Sequence, residues 1–284
     1  MLTLITTTLE LKKYQEQSKL TSGFVPTMGS LHEGHLSLLK AALQDYDHVY
    51  FSIFVNPTQF GPNEDFDKYP RDLKKDLSLI ENFLKDYPTK KVVVFAPETI
   101  EEIYPTHFKS KIVVEGLNKI LEGQMRPTHF DGVTTVVYLL FSVVKPETAY
   151  FGLKDFQQFT IIKRMVHDLH LPVKLAGIPI KREASGLAMS SRNQYLSDEQ
   201  KKAALILVNT LTEIKTIINS QKSNLKLAQD YISQKLQDKN WDYLTIRETE
   251  TLSENLEGHR SLVLLAVYRQ GSTRLLDNMQ VELQ

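Results

Sequence analysis

The chain has 284 residues, enough to bury a large core and to form one large and one smaller domain. Its 34 Lys and Arg residues balance 34 Asp and Glu residues, so a net charge of zero provides no general attraction to nucleic acid or to an anionic membrane. The absence of cysteine excludes a disulfide framework, thiolate metal ligands and a cysteine nucleophile. Because the net charge is zero, we expect small-molecule partners.

Residues 1–15 lack a basic region followed by a long apolar segment. No later run reaches the roughly 18 uncharged apolar residues that a membrane-spanning helix needs. These features predict neither export nor membrane insertion, and we expect a cytoplasmic protein.

Short apolar runs alternate with longer segments of helical period through the first two thirds of the chain. The runs with the composition of buried strands are residues 23–26, 48–54, 91–97, 148–152 and 173–180. Helices are predicted from Glu33, around 70–86 and over 155–169, and the apolar segment 131–145 continues the pattern. This alternation is typical of a Rossmann-like, doubly wound parallel sheet in the α/β class.

The pattern changes after about Ser190. Two polar helical stretches, 197–219 and 224–237, precede three strand-like segments at 242–248, 261–268 and 272–278. We therefore predict a smaller α+β C-terminal domain that closes as a lid, and place the boundary so that the domains are residues 1–185 and 186–284.

Residues 27–35, Thr-Met-Gly-Ser-Leu-His-Glu-Gly-His, lie where a predicted strand gives way to a helix. Ligands gather at the carboxyl ends of parallel strands, where helix N-termini present N–H groups and a positive dipole end. Gly29 permits a tight turn beside a phosphate, and Gly34 lets a ligand lie against the helix. His32 and His35 share one face of the first turn and could donate hydrogen bonds to phosphate oxygens.

Other interpretations of the histidine pair stay open at this point. One histidine could cap the helix or pack in the core while the other is solvated. A zinc site would need further ligands, which the sequence does not nominate.

Residues 26–35, Pro-Thr-Met-Gly-Ser-Leu-His-Glu-Gly-His, resemble the signature of the pantothenate synthetase family. That signature is a variant of the His-x-Gly-His motif of class I aminoacyl-tRNA synthetases and related nucleotidylyltransferases. Further blocks similar to the family follow in order at 54–71, 122–137, 151–158, 182–197 and 273–278. The resemblance implies a ligase that converts ATP and pantoate to pantoyl adenylate and pyrophosphate. The amine of β-alanine then attacks the adenylate and yields pantothenate and AMP.

The resemblance also implies roles for residues at the ATP site. His35, His32 and Lys154 are the catalytic candidates, with His35 as proton donor. The implied ATP-binding residues are Met28, Gly29, Ser30, Leu31, His32, Glu33, Gly34, His35, Gly152, Leu153, Lys154, Asp155, Lys181, Met189, Ser190, Ser191 and Arg192. Two hydroxyls and a guanidinium in the last group suit the β- and γ-phosphates, and Lys154 adds positive charge. For Ser190 a helix cap is the alternative, and for Ser197 we favour that role.

Three side-chain amides are implied at the pantoate end of the larger domain. Gln59, Gln158 and Asn56 are the pantoate candidates, because a neutral amide offers both a donor and an acceptor to a hydroxy acid. An Asn before Pro is also a frequent turn former. Gln59, Tyr69 and Arg126 are the candidates for β-alanine, and His129, in the same block as Arg126, is a further candidate for the β-alanine and phosphate ends of the cleft.

Magnesium is expected through the ATP phosphates, and we predict no protein metal site. Asp72 and Asp76 could position Mg²⁺, but the run Asp-Leu-Lys-Lys-Asp is better interpreted as a solvated helix face. Four positions depart from the family pattern, namely Ser30, Leu153, Lys181 and Ser185. The family also implies a homodimer through the larger domain, with residues 112–116 as part of the interface.

Two other functions share parts of this pattern. A nucleotidylyltransferase that keeps the nucleotide in its product would share the histidine and Met-Ser-Ser-Arg elements, but the pair Gln59 and Gln158 favours the ligase. A non-catalytic nucleotide sensor or a tRNA-charging fragment is disfavoured by the retained Lys154 and Arg192 and by the zero net charge.

Overall fold

The computed structural model describes residues 1–18, 20–62, 64, 66–220 and 225–283. Residues 63 and 65 of the block 54–71, and residue 224, where a helical stretch was predicted to begin, lie outside these ranges. The chain divides into two compact units: Met1–Leu153 with Ile161–Pro179, and Lys154–Thr160 with Ile180–Gln284.

The first unit is built on a six-stranded parallel sheet. Its strands are β1 (Leu2–Ile5), β2 (Gly23–Thr27), β3 (His48–Ile53), β4 (Lys91–Phe95), β5 (Thr148–Gly152) and β6 (Lys174–Ile178). Their order is β1-β4-β3-β2-β5-β6, and each neighbouring pair is parallel. Because β3 and β5 lie on opposite sides of β2, the order reverses beside β2, and ligands of open α/β sheets bind at such a switch point.

Helices connect these strands. They are α1 (Thr8–Ser18), α2 (Glu33–Asp45), α3 (Leu73–Leu84), α4 (Glu122–Met125), α5 (His129–Val144) and α6 (Phe156–Asp168). The apolar segment 131–145 lies almost wholly in α5, and at 16 residues this element is longer than ordinary strands. Burial of most side chains of α5 explains why its sequence lacks a polar face.

The central strands are buried because helices cover them. Val92, Val93, Val94 and Phe95 of β4 are fully buried, which accounts for the continuous apolar composition of that strand. Elements β1 and α1 were not predicted. Strand β1 has four residues at the edge of the sheet, and Leu11 is the buried residue of α1, so neither leaves a strong periodic signal.

The second unit combines helices with a three-stranded antiparallel sheet. Its elements are α7 (Asp198–Ala203), α8 (Leu205–Ser220), α9 (Leu225–Lys235), β7 (Trp241–Glu248), β8 (Ser261–Gln270) and β9 (Thr273–Glu282). Buried residues of α8, including Leu211 and Ile214, belong to the same core cluster as Leu262 and Leu264 of β8. The prediction of an α/β sheet and a smaller α+β part is confirmed.

The helical stretch 197–219 is divided at Ala204 into α7 and α8. Ser197 caps α7 through a capping box with Gln200, as predicted for this serine. Within the described ranges, no helix is both long and apolar enough to cross a membrane.

Candidate active site

The loop between β2 and α2 lies at the switch point of the sheet. Its backbone has φ values of 81° at Gly29 and 53° at Ser30. Glycine adopts this region readily, whereas serine does so at a cost, so neighbouring groups must hold the loop. The chain bends at Gly29, where the sequence predicts a tight turn.

Asp76 of α3 holds this loop. Its Oδ2 accepts a hydrogen bond from Ser30 N at 2.9 Å, and its Oδ1 accepts one from Leu31 N at 2.8 Å. The side chain is 3 % exposed, so the expectation of a solvated helix face was wrong for Asp76. Burial raises the pKa of this carboxyl, while the hydrogen bonds from Leu31 and Ser30 oppose the change. Asp72, by contrast, is exposed and caps α3 by accepting from Lys75 N at 2.9 Å.

His32 and His35 form a capping box at the start of α2. Nδ1 of His32 accepts from Gly34 N at 3.1 Å, and Nδ1 of His35 accepts from His32 N at 3.3 Å. The ring centroids lie 4.2 Å apart. Both histidines therefore cap the helix. A neutral imidazole whose Nδ1 accepts carries its proton on Nε2, so the cap selects the tautomer in which Nε2–H is the donor.

The loop backbone uses its own N–H groups within the protein. Gly29 N donates to Thr27 Oγ1 at 3.2 Å, and the N–H groups of Ser30, Leu31, His32 and Gly34 donate as described above. An anion could contact these five groups only if they changed partner. This favours the histidine side chains as the donors to a phosphate.

Asn56 organises the turn that carries Gln59. It caps the 3-10 turn Pro57–Gln59, and its Nδ2 donates to Gln59 Oε1 at 3.0 Å and to Gly132 O at 3.2 Å. Its Oδ1 accepts from Tyr104 Oη at 2.7 Å. Asn56 is 1 % exposed, and these contacts make it a support for Gln59.

Gln59 is itself almost buried, with an exposed fraction of 9 %. Because Asn56 holds its Oε1, its Nε2 is turned toward Met28, whose Sδ lies at 3.1 Å. The structure thus brings together a residue predicted to bind pantoate and one predicted to bind ATP.

Arg126, predicted to bind β-alanine, belongs to a polar network under the same turn. Its Nε and Nη2 donate to the carboxylate of Glu64 at 2.7 and 2.6 Å, and its Nη1 lies 3.0 Å from His129 Nε2. Nδ1 of His129 lies 2.8 Å from Gln59 O. The guanidinium can only donate, so His129 accepts at Nε2 and donates from Nδ1 to Gln59.

Burial controls protonation in this network. Burial lowers the pKa of His129 to about 4, and the charge of Arg126 acts in the same direction. Burial alone would raise the pKa of Glu64, but the hydrogen bonds and charge of Arg126 outweigh it and hold that pKa below its usual range. His129 is therefore neutral at pH 7 and holds the backbone of Gln59.

Tyr69 and Gly152 are two further predicted residues of the first unit. Tyr69 lies in the same sequence block as Gln59, and Gly152 lies at the carboxyl end of β5. The ring of Tyr69 packs edge to face on Phe60, with centroids 5.9 Å apart. Gly152 ends β5, and a Cβ there would find its nearest neighbour, Leu38 Cδ2, at 4.0 Å. This spacing would accommodate a Cβ, so packing alone does not require glycine at the strand end.

Lys154 and the predicted residues that follow it in the chain lie in the second unit. Its Nζ pairs with Asp155 Oδ1 at 3.0 Å, and its carbonyl accepts from Asn278 Nδ2 at 2.8 Å. Gln158 lies on α6 and is partly buried.

Residues 181–192 form a short hairpin followed by a turn. Arg182 and Ala188 make a β-bridge, and Met189 N donates to Lys181 O at 3.0 Å. Ser185 Oγ accepts from Leu187 N at 3.4 Å, so the serine at this departure from the family pattern makes a long local contact.

The turn after this hairpin carries the predicted phosphate group. Ser190 caps the 3-10 turn Ser191–Tyr195 by accepting from Arg192 N at 3.3 Å. The alternative of a capping role for Ser190 is therefore observed.

The contacts that hold these segments were not predicted from the sequence, although His129 was named as a candidate for the substrate cleft. Asp76 acts on the β2–α2 loop, Asn278 on Lys154, and His129 on Gln59. Their partners are distant in sequence, and the available signals were only a carboxylate within a charge run and the family-like block 273–278.

An open parallel sheet, a histidine pair at its switch point and an adjacent buried amide are typical of nucleotide-binding α/β enzymes. Comparison with known proteins identifies the family. The family model for pantoate-beta-alanine ligase matches residues 3–280. This chain belongs to that family, and it is a ligase.

Relatives match over nearly the whole chain. Pantothenate synthetase of Acetivibrio thermocellus is 50 % identical over 264 residues, covering 92 % of this chain and 91 % of the relative. That of Fervidobacterium nodosum is 47 % identical over 283 residues, covering 97 % and 98 %.

Solved structures agree with this assignment. The pantothenate synthetase (pantoate-beta-alanine ligase) of Thermus thermophilus has a TM-score of 0.89 at 40 % identity, covering 98 % of this chain and 99 % of its own. The Francisella tularensis pantoate-beta-alanine ligase complexed with beta-gamma ATP and beta-alanine has a TM-score of 0.71 at 31 % identity, covering 98 % and 97 %.

Proposed function

We propose that this ligase joins pantoate to β-alanine in two steps through a pantoyl adenylate. A carboxylate oxygen of pantoate forms a bond to the α-phosphorus of ATP, and the bond from that phosphorus to the bridging oxygen breaks, releasing pyrophosphate. The amine of β-alanine then bonds to the acyl carbon, loses a proton and displaces AMP. ATP-dependent condensation is the activity of the family to which the chain belongs.

The observation that carries this proposal is the contact between Gln59 and Met28. Gln59 Nε2 lies 3.1 Å from Met28 Sδ. Met28 is the first residue of the loop that runs from β2 to the histidine cap of α2. A hydroxy acid held by Gln59 would therefore lie next to a nucleotide at the β2–α2 loop. Such positioning can supply much of the rate of an in-line displacement.

The histidine cap supports the proposed phosphate chemistry. In the tautomer that the cap selects, Nε2–H of His32 and His35 can donate to phosphate oxygens as charge develops at the α-phosphorus. We assign His35 as the principal proton donor. The remaining proposed ATP contacts come from the residues given above in the loop and at Gly152–Asp155, and from Lys181 and Met189–Arg192 of the second unit.

The residues proposed for pantoate and β-alanine differ in how they would act. Gln59 and Gln158 are proposed to contact pantoate directly, whereas Asn56 is engaged by Gln59, Gly132 and Tyr104 and acts by holding Gln59. Tyr69 and Arg126 are proposed for β-alanine. A carboxylate on Arg126 would share the guanidinium with Glu64.

Magnesium is proposed to accompany ATP through its phosphates. In the described ranges, no group of three or more His, Cys, Asp or Glu could hold a metal ion. Asp76 is 3 % exposed and both of its carboxylate oxygens accept backbone N–H groups, so this residue is better suited to holding the loop than to binding Mg²⁺. No step is derived through the ion.

Three further proposals follow from the family resemblance. They are a cytoplasmic location, a homodimer formed through the larger domain, and closure of residues 186–284 as a lid over a nucleotide- and pantoate-binding domain of residues 1–185.

Product analysis tests the reaction. Purified protein is incubated with ATP, Mg²⁺, pantoate and β-alanine, and each substrate is omitted in turn. We expect pantothenate with equimolar AMP and pyrophosphate when all are present, and pantoyl adenylate with pyrophosphate when β-alanine is omitted. Nucleotide transfer without pantoate, or a product that retains the nucleotide after β-alanine is added, would contradict the proposal.

A further inference from the structure

The block Thr-Arg-Leu-Leu-Asp-Asn at 273–278 has no role in the reaction proposed above. It forms the first part of β9, which pairs antiparallel with β8 in the second unit. Asp277 is 1 % exposed and Asn278 is 4 % exposed. Buried polar side chains are costly unless paired, so their partners indicate what they do.

Asp277 binds the hairpin that precedes the predicted phosphate-binding turn. Its two carboxylate oxygens accept from Arg182 Nη1 at 2.6 Å and Nη2 at 2.9 Å. Arg182 Nη1 also donates to Gly186 O at 3.1 Å. A bidentate pair of this kind fixes orientation as well as distance, so β9 sets the position of the hairpin leading to Met189.

Asn278 binds the segment that carries Lys154. Its Nδ2 donates to Lys154 O at 2.8 Å, and its backbone N donates to Asp277 Oδ1 at 2.8 Å. The contact is made to the lysine backbone, and the charged Nζ is paired with Asp155. The amide can therefore orient the lysine without neutralising it.

Adjacent residues of one strand thus hold two segments that are far apart in sequence. Asn278 is separated by 124 positions from Lys154, and Asp277 by 95 from Arg182. We propose that Asn278 and Asp277 are positioning residues, which set Lys154 and the turn Ser191–Tyr195 in register for the triphosphate of ATP. The proposal rests on the proposed function, because that function assigns these segments to ATP.

Asn278→Ala tests the central contact, and Asn240→Ala is its control. Asn240 is an exposed asparagine of the same unit, whose Nδ2 bonds to Asp238 at 2.9 Å. The measurements are the Kd of a non-hydrolysable ATP analogue and the KM of each substrate. Loss of a buried hydrogen bond should weaken analogue binding by about 5- to 50-fold in Asn278→Ala. The KM values of pantoate and β-alanine should stay unchanged, and Asn240→Ala should behave as the unsubstituted protein.

A double-mutant cycle separates positioning from general destabilisation. If Asn278 acts through the lysine, Asn278→Ala should weaken analogue binding less than about twofold when Lys154→Met is already present. Equal weakening in both backgrounds would overturn the proposal, as would unchanged analogue affinity in Asn278→Ala.

Arg182→Lys provides a second test should Asn278→Ala fail to fold, because it keeps the charge and loses the bidentate geometry. Unchanged analogue affinity in Arg182→Lys would likewise count against the positioning role.

The proposed function can fail separately. Pantothenate formation by the unsubstituted protein, combined with identical analogue affinities in Asn278→Ala and Asn240→Ala, would reject only the positioning role. Analogue binding that depends on Asn278 in a protein that makes no pantothenate would reject the reaction and retain the positioning role.

Discussion

Asp76 accepts a hydrogen bond from the backbone N–H of Leu31 at 2.8 Å, so a side chain of α3 fixes the loop between β2 and α2. Its second oxygen accepts from Ser30, whose φ of 53° needs such support. The geometry of the candidate ATP loop therefore depends on a residue 45 positions away in the sequence.

Asp76→Asn should weaken ATP binding. The amide can accept one of the two N–H groups but presents an NH₂ to the other, leaving a donor without a partner. The KM of ATP is expected to rise at least about fivefold, given the usual cost of an unpaired buried group. Steady-state kinetics measure the change. Asp72→Asn is the control, since asparagine also caps helices and this exposed residue does not hold the loop.

The two nitrogens of His35 can be tested separately. Asparagine can replace Nδ1 as the acceptor for His32 N, whereas glutamine places an N–H donor nearer to the position of Nε2. We expect His35→Asn to keep most of the thermal stability and to lose more activity than His35→Gln. Melting temperature and single-turnover adenylate formation measure the two properties. Higher activity in His35→Asn would contradict the role given to Nε2.

How much of this site could be predicted depended on distance along the chain. The Gly29 turn and the histidine pair were recognised because all their members lie within nine residues, 27–35. The contacts of Asp76 with Leu31 and of His129 with Gln59 span 45 and 70 positions, and no local pattern reports them. The other strands of the sheet were predicted from apolar runs, whereas the four-residue strand β1 was missed.

Gly132→Ala should disturb the turn that carries Gln59. A Cβ at this position of α5 would lie 2.4 Å from Thr58 O and 2.7 Å from Gln59 Cα, so helix and turn must separate. We expect the KM of pantoate to rise more than that of ATP. Gly61→Ala is the control in the same region, because its Cβ would meet Glu64 at an ordinary 3.7 Å. An unchanged KM of pantoate in Gly132→Ala would argue against Gln59 as a pantoate residue.

Acid should destabilise the fold through His129. Its pKa is about 4 in the folded protein and 6.5 ordinarily, so the unfolded chain binds more protons between these values. The contribution of neutral His129 to the free energy of unfolding is fully present above pH 6.5. It is lost as the pH falls toward 4, to a limit of about 3 kcal/mol for this group.

His129→Asn should reduce the difference in unfolding free energy between pH 7 and 4.5, measured by urea denaturation. His48 is 1 % exposed and burial lowers its pKa too, so part of the difference should persist. A difference between pH 7 and 4.5 that is unchanged in His129→Asn would contradict the assignment to His129.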